Sequence, residues 1–181
     1  MPTKESPLPS FADLERLPYF TATIHEATRI AHGVTGRIVR ISPENDVAYT
    51  ASASAPKAAT ATTDQPIVIP RGTTFSMSHY IQHTNPAKFP EPGAFRPERY
   101  LGEEGKETLK YLFPFGTGPR SCLGINIAWS QMYLCFAALL GGVDLELFET
   151  TQRDVTIMQE IFIGFLDPNS QGIRVTAKEK S

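Results

Sequence analysis

The sequence predicts a mixed α+β chain, and three stretches carry that prediction. Residues 18–31 place Phe20, Ile24, Ala27 and Ala31 at helical spacing. Residues 125–143 contain no charged side chain and close on Gly141-Gly142, as a helix C-terminus does. Val143-Asp-Leu-Glu-Leu147 then alternates apolar and polar residues, the period of a half-exposed strand.

In chain order, the polar opening Met1-Pro-Thr-Lys-Glu-Ser-Pro reads as a start without a membrane anchor. The helix over residues 18–31 follows, with Glu26 and Arg29 three apart and so on one side of it. Gly33-Val34-Thr35-Gly36 is a link, and Arg37 and Arg40 fall in a strand. Residues 50–65 are small and polar, with nothing to bury against the entropy of ordering, and read as a disordered insert. Beyond the uncharged helix, residues 157–163 and 172–176 are strand-like. They are joined as a C-terminal hairpin through the turn Asp167-Pro-Asn-Ser-Gln-Gly172.

Composition narrows the function classes. With 181 residues, 41% of them hydrophobic, the chain can bury a core as one domain spanning residues 1–181. A net charge of −2 and scattered basic residues argue against a nucleic acid as partner. Cys122 and Cys135 lie 13 apart on one loop-plus-helix element, about 20 Å of helix, too far for a disulfide. Cys135 reads as core filler, and a reducing, cytosol-facing environment is consistent. The uncharged run over residues 125–143 is long enough to cross a membrane. Asn126, Ser130 and Gln131 interrupt it, and Ile125, Ala128, Met132, Cys135, Phe136 and Leu139 form its strong face, which favours burial within protein.

The richest segment is Phe115-Gly-Thr-Gly-Pro-Arg120-Ser-Cys122-Leu-Gly124. Gly116, Gly118 and Gly124 let the backbone turn tightly and approach a flat partner. Cys122 falls at the mouth of the helix, where free N–H groups and the dipole favour an anion. Arg120 adds a fixed positive charge suited to carboxylates. A lone cysteine is more often a buried hydrophobe, and a nucleophilic one needs a neighbouring base that the local sequence lacks. A thiolate on a flat loop suits an axial iron ligand in a haem protein.

This F-x-x-G-x-R-x-C-x-G run resembles the haem-binding loop of cytochrome P-450 monooxygenases. Glu26-Ala-Thr-Arg29 resembles the family's E-x-x-R pair, and Phe95-Arg-Pro-Glu-Arg99-Tyr its P-E-R-F segment. Ile69-Pro-Arg-Gly72 and His83-Thr-Asn-Pro, with Phe89, Pro92 and Pro97, follow the family's strand, short helix and meander. The resemblance runs over roughly residues 11–177 and matches only the C-terminal part of such an enzyme. It implies that part of the fold: a Glu/Arg helix, small sheets, a meander, the cysteine loop, a proximal helix buried under the cofactor, and a C-terminal hairpin.

The resemblance further implies a haem b whose iron takes Cys122 as axial thiolate. Phe115, Gly118, Arg120 and Gly124 shape and line the loop, and Arg40, better spaced than Arg37, reaches a propionate. Glu26, Arg29 and Arg99 form a structural triad, and Val34, Thr35, Phe162 and Ile163 face substrate. No A-G-x-[DE]-T stretch of the oxygen-handling helix occurs in the sequence, so no catalytic residue is assigned. The implied activity is insertion of one oxygen atom of O2 into a small apolar substrate. Electrons come from NADPH indirectly, through a cytochrome P-450 reductase, and the haem iron is the one metal. Full-length relatives often sit on the cytosolic side of the endoplasmic-reticulum membrane. Two other readings remain: a haem-binding or regulatory module without turnover, and a truncated, non-functional product.

Overall fold

A computed structural model describes residues 9–50 and 66–180. The insert expected over residues 50–65 and the polar opening fall, apart from Thr50, outside the described residues. Helix α1 (Phe11–Glu15) is capped by Ser10, whose hydroxyl accepts the Asp13 N–H. Helix α2 (Pro18–Ala31) begins on proline, whose missing N–H is no loss in a first turn, and ends at His32 in left-handed backbone.

The stripe expected of α2 is not the one it buries. Ala31 is exposed, and Ala22, Ile24, Glu26, Thr28 and Arg29 are buried. The cause is that α2 serves two cores on two sides. Ile24 packs with Leu14, Tyr133 and Ala137, backed by Phe11, Phe20 and Trp129. Ala22 packs with Phe89 and Tyr100, backed by Leu101, Leu109 and Tyr111.

Four two-stranded antiparallel sheets lie among the described residues. Strand β1 (Ile38–Ile41) pairs with β4 (Thr74–Met77), setting Arg40 opposite Phe75. Strand β2 (Val47–Tyr49) pairs with β3 (Ile67–Ile69). Helix α3 (His79–His83) follows β4, and a 3₁₀ turn over Pro97–Tyr100 leads into α4 (Gly102–Leu109).

Helix α5 (Ile125–Gly142) runs into strand β5 (Val143–Leu147). It buries Tyr133, Ala137 and Gly141 and packs against α1. The strong face expected for it lies only partly against the core, where Met132 packs. Cys135 is exposed, and Phe136, Leu139 and Leu140 are also outward-facing. An apolar circumference gives the helix no phase of its own, so contacts with α1 and α2 select the stripe at four-residue spacing. By length and hydropathy α5 could also cross a membrane.

The expected pairing of residues 157–163 with residues 172–176 is likewise not formed. Strand β6 (Gln159–Glu160) folds back on β7 (Gly164–Phe165), and β8 (Val175–Glu179) pairs with β5. Phe162 at φ 126° makes the tight turn that splits the first stretch. The alternating β5 supplies the last strand with a partner instead.

Candidate cofactor site around Cys122

The cysteine loop is held at both ends. At its entry the Phe113 N–H donates to His83 Nε2 at 3.2 Å. Gly116 and Gly118, at φ 73° and 74°, then fold the chain into the 3₁₀ turn Gly118–Arg120, a path that side chains with a Cβ resist. The Cys122 N–H closes the loop on the Phe115 carbonyl at 2.8 Å. Gly124, unlike Gly116 and Gly118, is not left-handed: at φ −84° it caps α5, and a Cβ there would lie 3.9 Å from Cys122 Sγ. The thiol is therefore exposed at the helix mouth, between exposed neighbours Arg120 and Leu123. The Phe115 ring packs edge to face on Trp129 of α5 at 5.3 Å, tying the loop to the helix that follows it.

Glu26, Arg29 and Arg99 come together in a network in which the Glu26 and Arg29 side chains are fully buried and that of Arg99 nearly so. Arg29 grips both carboxylate oxygens of Glu26 at 2.8 Å, and Arg99 Nε donates to Oε1 at 3.1 Å. The Arg96 N–H adds a bond at 2.9 Å. Arg29 also donates to the His83 and Ala94 carbonyls, and Arg99 to that of Pro90. Burial pushes the Glu26 carboxyl up, but the bonds from Arg29 and Arg96 and the two guanidinium charges hold it below the usual range. The network fastens α2 to the turn before α4 and has no opening for a substrate.

A cavity of about 210 Å³ lies between the β1–β4 sheet and the cysteine loop. Its walls include Arg40, Phe75, Met77, His79, Phe113 and Gly116. Arg37, the other arginine of that segment, is exposed. Sequence reasoning did not single out the buried histidines His32, His79 and His83, each with an unpartnered Nδ1. His79 and His83 flank the Phe113 ring, both at 5.4 Å. Burial, and secondarily nearby charge, pushes His32 and His83 down to about 4 and lowers His79 too. His83 was legible only as one letter of a longer pattern, and no local periodicity marks the other two.

The two segments expected to face substrate meet. Val34 bridges Ile163, and the Gly36 N–H donates to the Phe162 carbonyl at 3.0 Å. Phe162 and Ile163 are exposed, whereas Thr35 is 2% exposed with an unpartnered hydroxyl. A Cβ on Gly33 would touch the Pro114 carbonyl at 3.7 Å, so this junction adjoins the start of the cysteine loop.

An exposed thiol on a glycine-shaped loop, beside a buried Glu-Arg-Arg network, defines a class of haem-thiolate proteins. A cytochrome P450 family model matches residues 3–172, and the chain belongs to that family. It is 49% identical to the cytochrome P450 monooxygenase ucsK of Acremonium sp over 178 residues, covering 97% of this chain and 32% of that protein. It is 31% identical to the cytochrome P450 monooxygenase claJ of Penicillium crustosum, covering 94% of this chain and 36% of that protein. It is 34% identical to the fusicoccadiene C-8 hydroxylase of Phomopsis amygdali, covering 98% and 32%. The chain thus spans about a third of the length of these curated relatives.

Membership implies a haem held by a cysteine thiolate. The residues present fit that group. Cys122 offers a free, exposed sulfur at a helix mouth. The adjoining cavity sets the cation Arg40 and the orphaned imidazole of His79 among apolar Ile38, Phe75, Met77 and Phe113. That is the wall a flat apolar ring with carboxylate arms requires.

Proposed function

We propose that this chain supplies the thiolate side of a haem-dependent monooxygenase, with Cys122 as the axial iron ligand. The observation that carries the reading is the Cys122 thiol held outward by the closed loop between Phe115 and the start of α5. A bound haem b would supply the chemistry of oxygen activation, by which one atom of O2 goes into a small apolar organic substrate and two electrons and two protons take the other to water. Cys122 fixes the cofactor through sulfur, and the helix mouth stabilises that sulfur as an anion. Phe115, braced by Trp129, would help to shield the sulfur from water once the haem covers the now exposed thiol. Arg40 and Arg120 neutralise propionates through charge-assisted bonds. Val34 and Thr35, with Phe162 and Ile163 beside them, form one edge of the substrate pocket. Electrons come from NADPH through a cytochrome P-450 reductase.

The length relation to the curated relatives favours a second reading for the isolated 181-residue chain: haem binding without substrate oxidation. Both readings meet one experiment. The haem-loaded chain, reduced under carbon monoxide, gives a thiolate-type absorption spectrum that Cys122→Ala abolishes and Cys135→Ala leaves intact. A thiolate spectrum in the Cys122→Ala variant refutes the ligand. Reductant-dependent product formation at enzymatic rates, lost in that variant, refutes the second reading.

A further inference from the structure

We propose that His79 is a second partner, with Arg40, for a carboxylate seated in the cavity between the β1–β4 sheet and the cysteine loop. The inference rests on the haem reading, in which the carboxylate is a propionate, and adds a residue to it.

His79 is 6% exposed and lines the cavity. Its Nδ1 is shut away from solvent without a partner, and its ring forms no hydrogen bond with any described residue. A neutral imidazole carries one N–H on either ring nitrogen; with Nδ1 enclosed, Nε2, which makes no hydrogen bond among the described residues, is the atom that can donate to an acceptor in the cavity. The ring is held rather than loose: Phe113 meets it edge to face at 5.4 Å and His83 stacks on it at 6.0 Å.

Arg40 faces the same space with an unanswered charge. It bonds only its neighbour's carbonyl, Val39 O at 3.0 Å, and forms no ion pair among the described residues. Among the described residues no acidic side chain lines the cavity. The charged and titratable groups facing His79 are Arg40 from β1 and His83 from its own helix; burial first and Arg40 second keep the imidazole neutral. A cation and a neutral N–H donor in one wall match a carboxylate, which accepts from both at once. Beside the polar Ser76 and Thr117, the lining includes the apolar Ile38, Phe75, Met77 and Phe113, which suit an acid carried on an apolar skeleton.

The test uses iron-free protoporphyrin IX and its dimethyl ester, titrated by absorbance into the 181-residue chain, so that sulfur ligation plays no part. The wild type should bind the diacid at least tenfold more tightly than the diester. His79→Phe should lose about tenfold for the diacid, the worth of one hydrogen bond to a charged group, and nothing for the diester. His79→Gln, which restores an N–H donor, should recover most of that loss, and thermal melts should show all variants folded. Equal loss for both porphyrins would mean a merely structural role and overturns the proposal. So would no loss, equal binding of diacid and diester by the wild type, or binding of neither. Failure of the haem reading appears separately, as a carbon-monoxide spectrum indifferent to Cys122→Ala.

Discussion

Replacing Glu26 by glutamine should destabilise the chain far more than the loss of one surface charge. The carboxylate accepts four bonds: one on Oε2 from Arg29, and three on Oε1 from Arg29, Arg99 and the Arg96 N–H. Glutamine keeps one oxygen and turns the other acceptor into an NH2 that faces guanidinium donors. Glu26 and Arg29 side chains are 0% exposed and that of Arg99 is 7% exposed, so water cannot replace what is lost. Stranding two buried cations in this way costs about 3–5 kcal/mol. At a urea dependence of about 1–3 kcal/mol/M, the unfolding midpoint should fall by more than about 1 M. Urea titration followed by circular dichroism measures this at pH 7. A change below about 1 kcal/mol would refute the view that the network is held together by this carboxylate.

Three further outcomes follow from the geometry. His32 and His83 are held neutral down to about pH 4, against an ordinary value of 6.5. The unfolded chain therefore takes up protons first, and stability, full above pH 6.5, falls between there and pH 4 by up to about 1.4 kcal/mol per pH unit for each histidine. The lowered carboxyl of Glu26 contributes stability that is lost only as pH falls below 4.5. Denaturant midpoints from pH 7.5 to 3.5 should show this decline, and a flat profile from 6.5 to 4.5 would contradict the buried-histidine account. Gly105→Ala should block folding of the α4 junction, because its Cβ would lie 2.2 Å from the Tyr100 backbone carbon; a thermal melt within about 3 °C of wild type, the shift that about 1 kcal/mol gives a chain of this size, would refute it. Replacing residues 51–65 by a two-residue turn should leave the melt and haem content unchanged, since Tyr49 already pairs with Ile67 and loop closure depends only weakly on length; loss of haem would refute it.

Local chemistry was legible in the sequence where it is written in consecutive residues. The α2 and α5 helices, the β5 strand and the turning glycines at 116 and 118 follow from spacing and residue type. Partner choice was not legible. Nothing in residues 172–176 says that the last strand joins β5 rather than the preceding stretch, because strand pairing depends on what lies across the gap. The joining of Glu26 and Arg29 to Arg99, seventy-three residues after Glu26, was legible only through the family resemblance, because no local periodicity brings Arg99 to that helix. The histidine cluster is harder still, being assembled from the end of α2 and a short helix whose rings meet only in three dimensions.

Trp129 is the single tryptophan of the chain, and its ring touches Phe115 of the cysteine loop, His25 of α2 and Tyr133 of its own helix. Intrinsic emission excited at the red edge therefore reports one junction and is blind to the β5–β8 ribbon. Circular dichroism averages over the whole backbone. If the two probes give coincident unfolding curves, the loop and the ribbon melt as one cooperative unit; if emission changes first, the cysteine loop opens while the rest of the chain is still folded.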